Sequence, residues 1–411
     1  EIHSGDWSSD VCSSDLVCAI LDTPSIPQNL QFFIQEKIEG NPFYLEEMVN
    51  TLIERKVLQH KNGQWRMEGA VSIEDVSATI HGVVAGRLDY LQGDVKHVLQ
   101  EAAVIGRVFD YAILQRISTT DHAIDASLDI LEQLDMIRRK RDAGEEKYYF
   151  KHALVQEIVY NGILIKDRRE IHERIAVAME AIFSSRLSGF YETLAFHYSV
   201  GQSFDKAVDY LMKSGRKSKQ RYAVEEAHRY YQQAYGLLVD QSERFAQGGK
   251  LLVEVLIEWF FVFNVRGIFT EMLALLKGHA KEVAALDDAF LKGMYFCCMG
   301  WALQRREALE ESYVYLTEAL RIAEESDDRQ VLAYACGCLV WTCTDLGRLD
   351  DAIDYGRRAE ALMAHLESDQ ELIRIILTGL GIAHWFRGEA GQCRSIGEKL
   401  LQHGEKRADI R

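Results

Sequence analysis

Proline constrains this chain more than any other residue. Pro24, Pro27 and Pro42 are its only prolines, and none follows as far as Arg411. Proline removes a backbone donor and clashes with the preceding turn, so it breaks helix interiors and interrupts sheets. A chain without it over nearly its whole length suits long, closely spaced helices and argues against an all-β architecture. The expected class is mainly α. No run of about 18 apolar residues occurs, so nothing is expected to span a membrane. The most apolar stretch, Leu251–Val265, carries Glu254 and Glu258 at helical spacing and reads as a buried helix.

The proline-free part has a period. Tyr191–Gly201 and Phe204–Lys217 read as a helix pair joined at Gly201-Gln202, and Glu225–Leu238 as a further repeat-like helix. Turns then fall near Gly267, Glu307, Gly347 and Gly388, spaced 40, 40 and 41 residues apart. Trp259, Trp301, Trp341 and Trp385 recur just ahead of them. Ser312/Ala319 and Ala352/Ala359 keep small residues seven apart, and Gly300 and Gly381 sit twelve residues before Ser312 and Cys393. Small residues at such positions let paired helices approach closely. The pattern resembles tetratricopeptide repeats lengthened to about 40 residues, without the repeat-end prolines. Residues 166–411 are therefore expected to form an α-α superhelix of tetratricopeptide-like repeats, regular from residue 250. Stacked repeats leave a concave groove, the expected partner surface. The tryptophans fit either core wedges between repeats or a ligand-binding surface.

The first part of the chain reads differently. Ile26–Glu39 is amphipathic at three-to-four spacing. Gly40 can end that helix, Asn41 can cap the next, and Pro42 suits its first position. Val57–Met67 alternates around Asn62-Gly63, a hairpin signal. Residues 17–92 form the expected helical domain. Across 93–165, three helical patterns (Asp94–Ile105, Tyr111–Ile117, His122–Leu134) precede a hairpin of Met136–Arg141 and Lys147–Lys151, the chain order of a winged helix. Its wing carries Arg138, Arg139, Lys140 and Arg141 in a row. That run fits DNA binding, a solvated wing or an intramolecular dock. A net charge of −16 opposes nucleic acid.

Three motifs carry a family resemblance. Gly40-Asn41-Pro42 runs into Phe43-Tyr44-Leu45-Glu46-Glu47-Met48; Thr79-Ile80, Gly82-Val83-Val84-Ala85 and Arg87-Leu88-Asp89 precede Leu91; and Phe150-Lys151-His152-Ala153-Leu154 is followed by Glu157 and Tyr160. Together they resemble the STAND signal-transduction ATPases, relatives of the AAA+ ATPases, in their cyclase-associated or MalT-like forms. Ser77 stands where that family has proline. The resemblance implies that Pro42 lies near the adenine and His152 reaches the β-phosphate of ADP or ATP, bound with magnesium in the intact protein. It also implies an upstream nucleotide-binding domain, and often a class III nucleotide cyclase or a protein kinase ahead of it. A signal in the repeat groove would loosen the winged helix and permit nucleotide exchange. No G-x-x-x-x-G-K-S/T run exists in the 411 residues, so the chain reads as the rear part of a longer ATPase, with no cofactor of its own. Glu1–Leu16, a near-repeat of SSDV/SSDL, resembles a translated sequencing-adapter artefact.

Independent chemistry is not expected. The eight cysteines form no C-x-x-C pair and no zinc spacing; they read as small hydrophobes in a reducing cytoplasm. His172, His197 and His228 are far apart in sequence, and Ser184-Ser185 and Ser214-Gly215 lack a nucleophile-elbow context. Adjacent acids such as Glu46-Glu47, Glu310-Glu311 and Asp350-Asp351 do not share a helix face. No catalytic residue, metal ligand or enzyme activity is assigned. The expected function is regulatory and protein-interacting, with a protein or small-molecule signal in the groove. Two alternatives are a winged-helix transcriptional regulator with a tetratricopeptide sensor and a nucleotide-independent repeat scaffold.

Overall fold

The computed structural model describes residues 10–31, 57–61, 64–67, 91–119, 124–142, 145–363 and 370–405, with single positions at 45, 49, 52, 53 and 88. The fold is mainly α, with two small sheets among the described residues. It divides into two compact units, residues 1–187 with 200–202, and residues 188–199 with 203–411.

In the first unit, helix α1 (Asp10–Ile20) buries Val17 in a small core with Leu21, Leu30, Leu45, Val49, Leu52 and Leu58. The end of the leader-like segment, Leu16, packs partly on this core, whereas residues 1–9 lie outside the described residues. Strands β1 (Leu58–Lys61) and β2 (Gln64–Met67) pair antiparallel, Leu58 opposite Met67, as the Asn62-Gly63 signal requires.

A second core follows. Helix α2 (Gly93–Ile105), strand β3 (Val108–Asp110), helices α3 (Tyr111–Ile117) and α4 (Ile124–Gln133), and strands β4 (Ile137–Asp142) and β5 (Glu145–Phe150) lead to α5 (Ala153–Asn161) and α6 (Ile165–Ile182). The sheet order is β3-β5-β4. Three helices and the β4–β5 hairpin follow the expected chain order. Strand β3 adds a third member that the sequence hides, because three residues are too short to show alternation. Its Asp110 also caps α3, accepting from the Ala112 N–H at 3.0 Å. Val98, Leu99, Phe109, Leu114, Leu128, Leu131, Ile137 and Phe150 are the buried centre. Helix α6 starts at Ile165 and belongs to the first unit. That helix packs on α2 and α3, where Arg174 donates to Glu101 at 3.0 Å and to the Ile117 carbonyl at 2.6 Å.

The second unit is a run of helices, α7 (Tyr191–Gly201), α8 (Phe204–Gln220), α9 (Val224–Asp240), α10 (Gly248–Arg266), α11 (Phe269–Gly278), α12 (Ala280–Ala285), α13 (Ala289–Gln304), α14 (Leu309–Ser326), α15 (Arg329–Asp345), α16 (Leu349–Met363), α17 (Gln370–Phe386) and α18 (Ala390–Glu405). First helices α10, α13, α15 and α17 pack on one another in series, and each of the last three pairs with the helix after it. This is the nearest-neighbour stacking of a helical-repeat superhelix.

The turn period is exact to the backbone. Gly267, Glu307, Gly347 and Gly388 all have left-handed φ, at 70°, 62°, 75° and 80°. The small residues are packing sites. Ser312, Ala319, Ala352 and Ala359 are buried. A Cβ on Gly300 would stand 2.4 Å from Leu316 Cγ, so glycine is what allows α13 and α14 to approach. The tryptophan pattern is only partly a core pattern. Trp259 and Trp301 are buried, but Trp385 is 67% exposed, correcting the wedge expectation there. Counted from the turns, Trp301 and Trp341 lie six residues ahead, while Trp385 lies three ahead. The equivalent positions Gln304 and Thr344 are buried, but no described helix covers that side of α17.

Candidate functional site

The first helices of the repeats share one concavity of about 1370 Å³. Its floor is apolar and aromatic, from Phe260, Phe261, Phe290, Met294, Trp301 and Tyr334. Cys297, Cys298 and Cys338 add thiols to the floor. Burial pushes the Cys298 thiol up to about 12 and also raises those of Cys297 and Cys338. These cysteines are packing groups, because the reactive thiolate is suppressed.

The rim is charged and paired. Arg216 holds Glu258 at 3.1 Å, with Lys219 4.0 Å from the same carboxylate and 4.9 Å over the Phe261 ring. Lys250 holds Asp288 at 3.0 Å, and Arg374 holds Glu371 at 2.5 Å. An apolar floor between exchangeable ion pairs suits an amphipathic segment, whose charges can replace those pairs at small cost. Of these lining residues, sequence reasoning marked only Trp301, as one of four tryptophans that could form a ligand-binding surface. The period would have found more: Glu254, Met294, Tyr334 and Arg374, each 40 apart, all face the groove.

Tryptophan N–H groups tie neighbouring helices together. Trp259 Nε1 donates to His228 Nδ1 at 3.0 Å, Trp301 Nε1 to Asn264 Oδ1 at 2.8 Å, and Trp341 Nε1 to the Ile375 carbonyl at 2.9 Å. Burial lowers the pKa of His228, in keeping with its role as acceptor.

His152 sits at the junction of β5 and α5, in extended backbone at the N-cap of α5. Burial, then Lys151 and Arg107, pull its pKa down to about 4. At neutral pH it is an uncharged imidazole beside two cationic side chains. Pro42 lies outside the described residues, as do Gly40 and Asn41. His172 is buried against the Tyr160 hydroxyl at 3.1 Å, with its pKa also pulled down to about 4 by burial; His197 is buried on α7. Among the described residues no group of His, Cys, Asp or Glu could hold a metal ion, and no helix is long and apolar enough to cross a membrane.

The basic wing carries ion pairs within its own domain. Arg138 pairs with Asp135 at 2.6 Å, Arg139 pairs with Glu146, and Lys151 also pairs with Asp135. Arg138 and Arg139 of the arginine-lysine run are thus engaged within the domain.

No family model matches the chain. An uncharacterized protein of Rhizobium meliloti (strain 1021) is 26% identical over 279 residues, which cover 66% of this chain and 26% of that protein. Among solved structures, a STAND protein with a tetratricopeptide repeat sensor from Pyrococcus horikoshii aligns with 98% of this chain and 54% of its own, at 14% identity and a TM-score of 0.53. The chain shares that protein's fold. Aspartyl phosphate phosphatase F from Bacillus subtilis aligns with 82% of this chain and 96% of its own, at 12% identity and a TM-score of 0.40. The chain spans about a quarter of the length of the curated relative and about half of the STAND structure.

Proposed function

We propose that this chain is the regulatory portion of a STAND-type signal-transduction ATPase, whose helical repeats receive a protein or peptide signal. The groove carries the reading: an apolar floor of about 1370 Å³ framed by ion pairs, on the face where stacked repeats take partners. The motifs at Gly40–Met48 and Phe150–Tyr160 support the ATPase assignment, as does the fold shared over 98% of the chain with a STAND protein. The intact protein would add an upstream nucleotide-binding domain and, ahead of it, a class III nucleotide cyclase or a protein kinase.

ATP or ADP with magnesium would supply a charged diphosphate as the readable state of the switch. Pro42 would pack near its adenine. His152, neutral and flanked by Lys151 and Arg107, would donate to its β-phosphate. Occupation of the groove would loosen that hold and free the domain carrying His152. The chain alone brings no phosphate-cradling loop and no catalytic residue. Purified chain with magnesium and ATP should therefore release phosphate only at the uncatalysed rate. Magnesium-dependent turnover by the purified chain would overturn this reading.

A further inference from the structure

The repeats build a second concavity that shares no lining residue with the groove. It encloses about 610 Å³ where the α10–α11 turn, the α13–α14 turn and the end of α15 meet. At its base, Gln304 is 6% exposed. Its Nε2 donates to Asp345 Oδ2 at 2.6 Å, which fixes the amide's orientation. Its Oε1 is buried and accepts from no group of the protein among the described residues. Buried acceptors are nearly always satisfied, so an unpartnered one on a cleft marks the place of a donor.

The charges around it are of both signs. Glu271, Glu307 and Asp345 line the cleft with Arg305 and Arg306. Neither arginine makes an ion pair among the described residues; Arg305 lies over the Phe269 ring at 5.7 Å. Helix α11 opens into the cleft with no side chain capping its N-terminus, leaving first-turn N–H groups at the positive end of the helix. A simple anion would meet three carboxylates. A simple cation would leave two guanidinium groups and a helix start without an acceptor. A small ligand with both charges satisfies the whole lining.

We propose that this turn cleft binds a free α-amino acid. Its ammonium donates to Gln304 Oε1 and the adjoining carboxylates, and its carboxylate meets Arg305, Arg306 and the open start of α11. The remaining volume holds the side chain. The site makes the array a receptor for a small zwitterion as well as for a groove partner, and it stands whether or not the groove reading does.

The test uses the full chain. Each common α-amino acid, and separately ethylamine and acetate as the two halves of the charge pattern, is screened by thermal shift and followed by calorimetric titration. At least one amino acid should raise the melting temperature, with both halves much weaker. Gln304→Met, which keeps the shape and removes the acceptor, should weaken binding about tenfold or more. Arg306→Ala, a surface change that leaves the core intact, should do the same. No binding by any amino acid overturns the proposal. So does equal binding of ethylamine, or an affinity unchanged in Arg306→Ala, which guards against a misfolded Gln304 variant.

Discussion

Glu307 holds a left-handed φ of 62° at a turn whose counterparts are glycines. A side chain there costs about 1–2 kcal/mol, less the entropy that glycine loses on folding. Glu307→Gly should therefore raise stability by roughly 0.5–1 kcal/mol in urea denaturation. Gly347→Ala should lower it by roughly 1 kcal/mol, since the turn keeps its φ of 75° and gains a Cβ. His172 gives a pH dependence of known sign. Its folded pKa of about 4 lies below the ordinary 6.5 because burial disfavours the imidazolium. Above pH 6.5 neither state takes up a proton, and this group leaves stability flat. Between 6.5 and about 4 only the unfolded chain protonates, so stability falls, by roughly 3 kcal/mol in all. His172→Leu should flatten that loss when denaturation midpoints are followed from pH 7 to 4.

The paired helices are held by small residues with polar closure. Ser312 Oγ lies 2.8 Å from the Gly300 carbonyl and 2.9 Å from Thr342 Oγ1, joining α13, α14 and α15 at one buried point. Ser312→Ala should cost roughly 1–2 kcal/mol by leaving buried polar groups unpaired. Thr342→Val added to it should cost less than the sum, measured as a double-mutant cycle. Gly300 and Ser312 were legible because small residues recurred twelve apart. Thr342 was not, since one hydroxyl on an apolar helix has no period. Strand β3 was invisible for want of length, and of the groove floor only Trp301 was marked, although Met294 and Tyr334 repeat at 40. The tryptophans misled at Trp385, where the residue type recurs but the position within the repeat does not. Gln304 could not be singled out at all, because its meaning rests on an amide oxygen left without a donor.

At the scale of the molecule, the proline-free sequence and its 40-residue turns specify a superhelix, and the superhelix makes the groove. The groove is the central claim. The most direct test is to select peptides from a displayed library on the full chain and measure their binding to two variants. Tyr334→Glu places a charge on the groove floor. Val314→Glu places one on an exposed position of α14 outside the groove. The groove account predicts that the selected peptides lose at least tenfold in affinity on Tyr334→Glu, as a charge enters an apolar contact, and keep their affinity on Val314→Glu. Peptides that bind both variants equally, or that lose binding only on Val314→Glu, would contradict it.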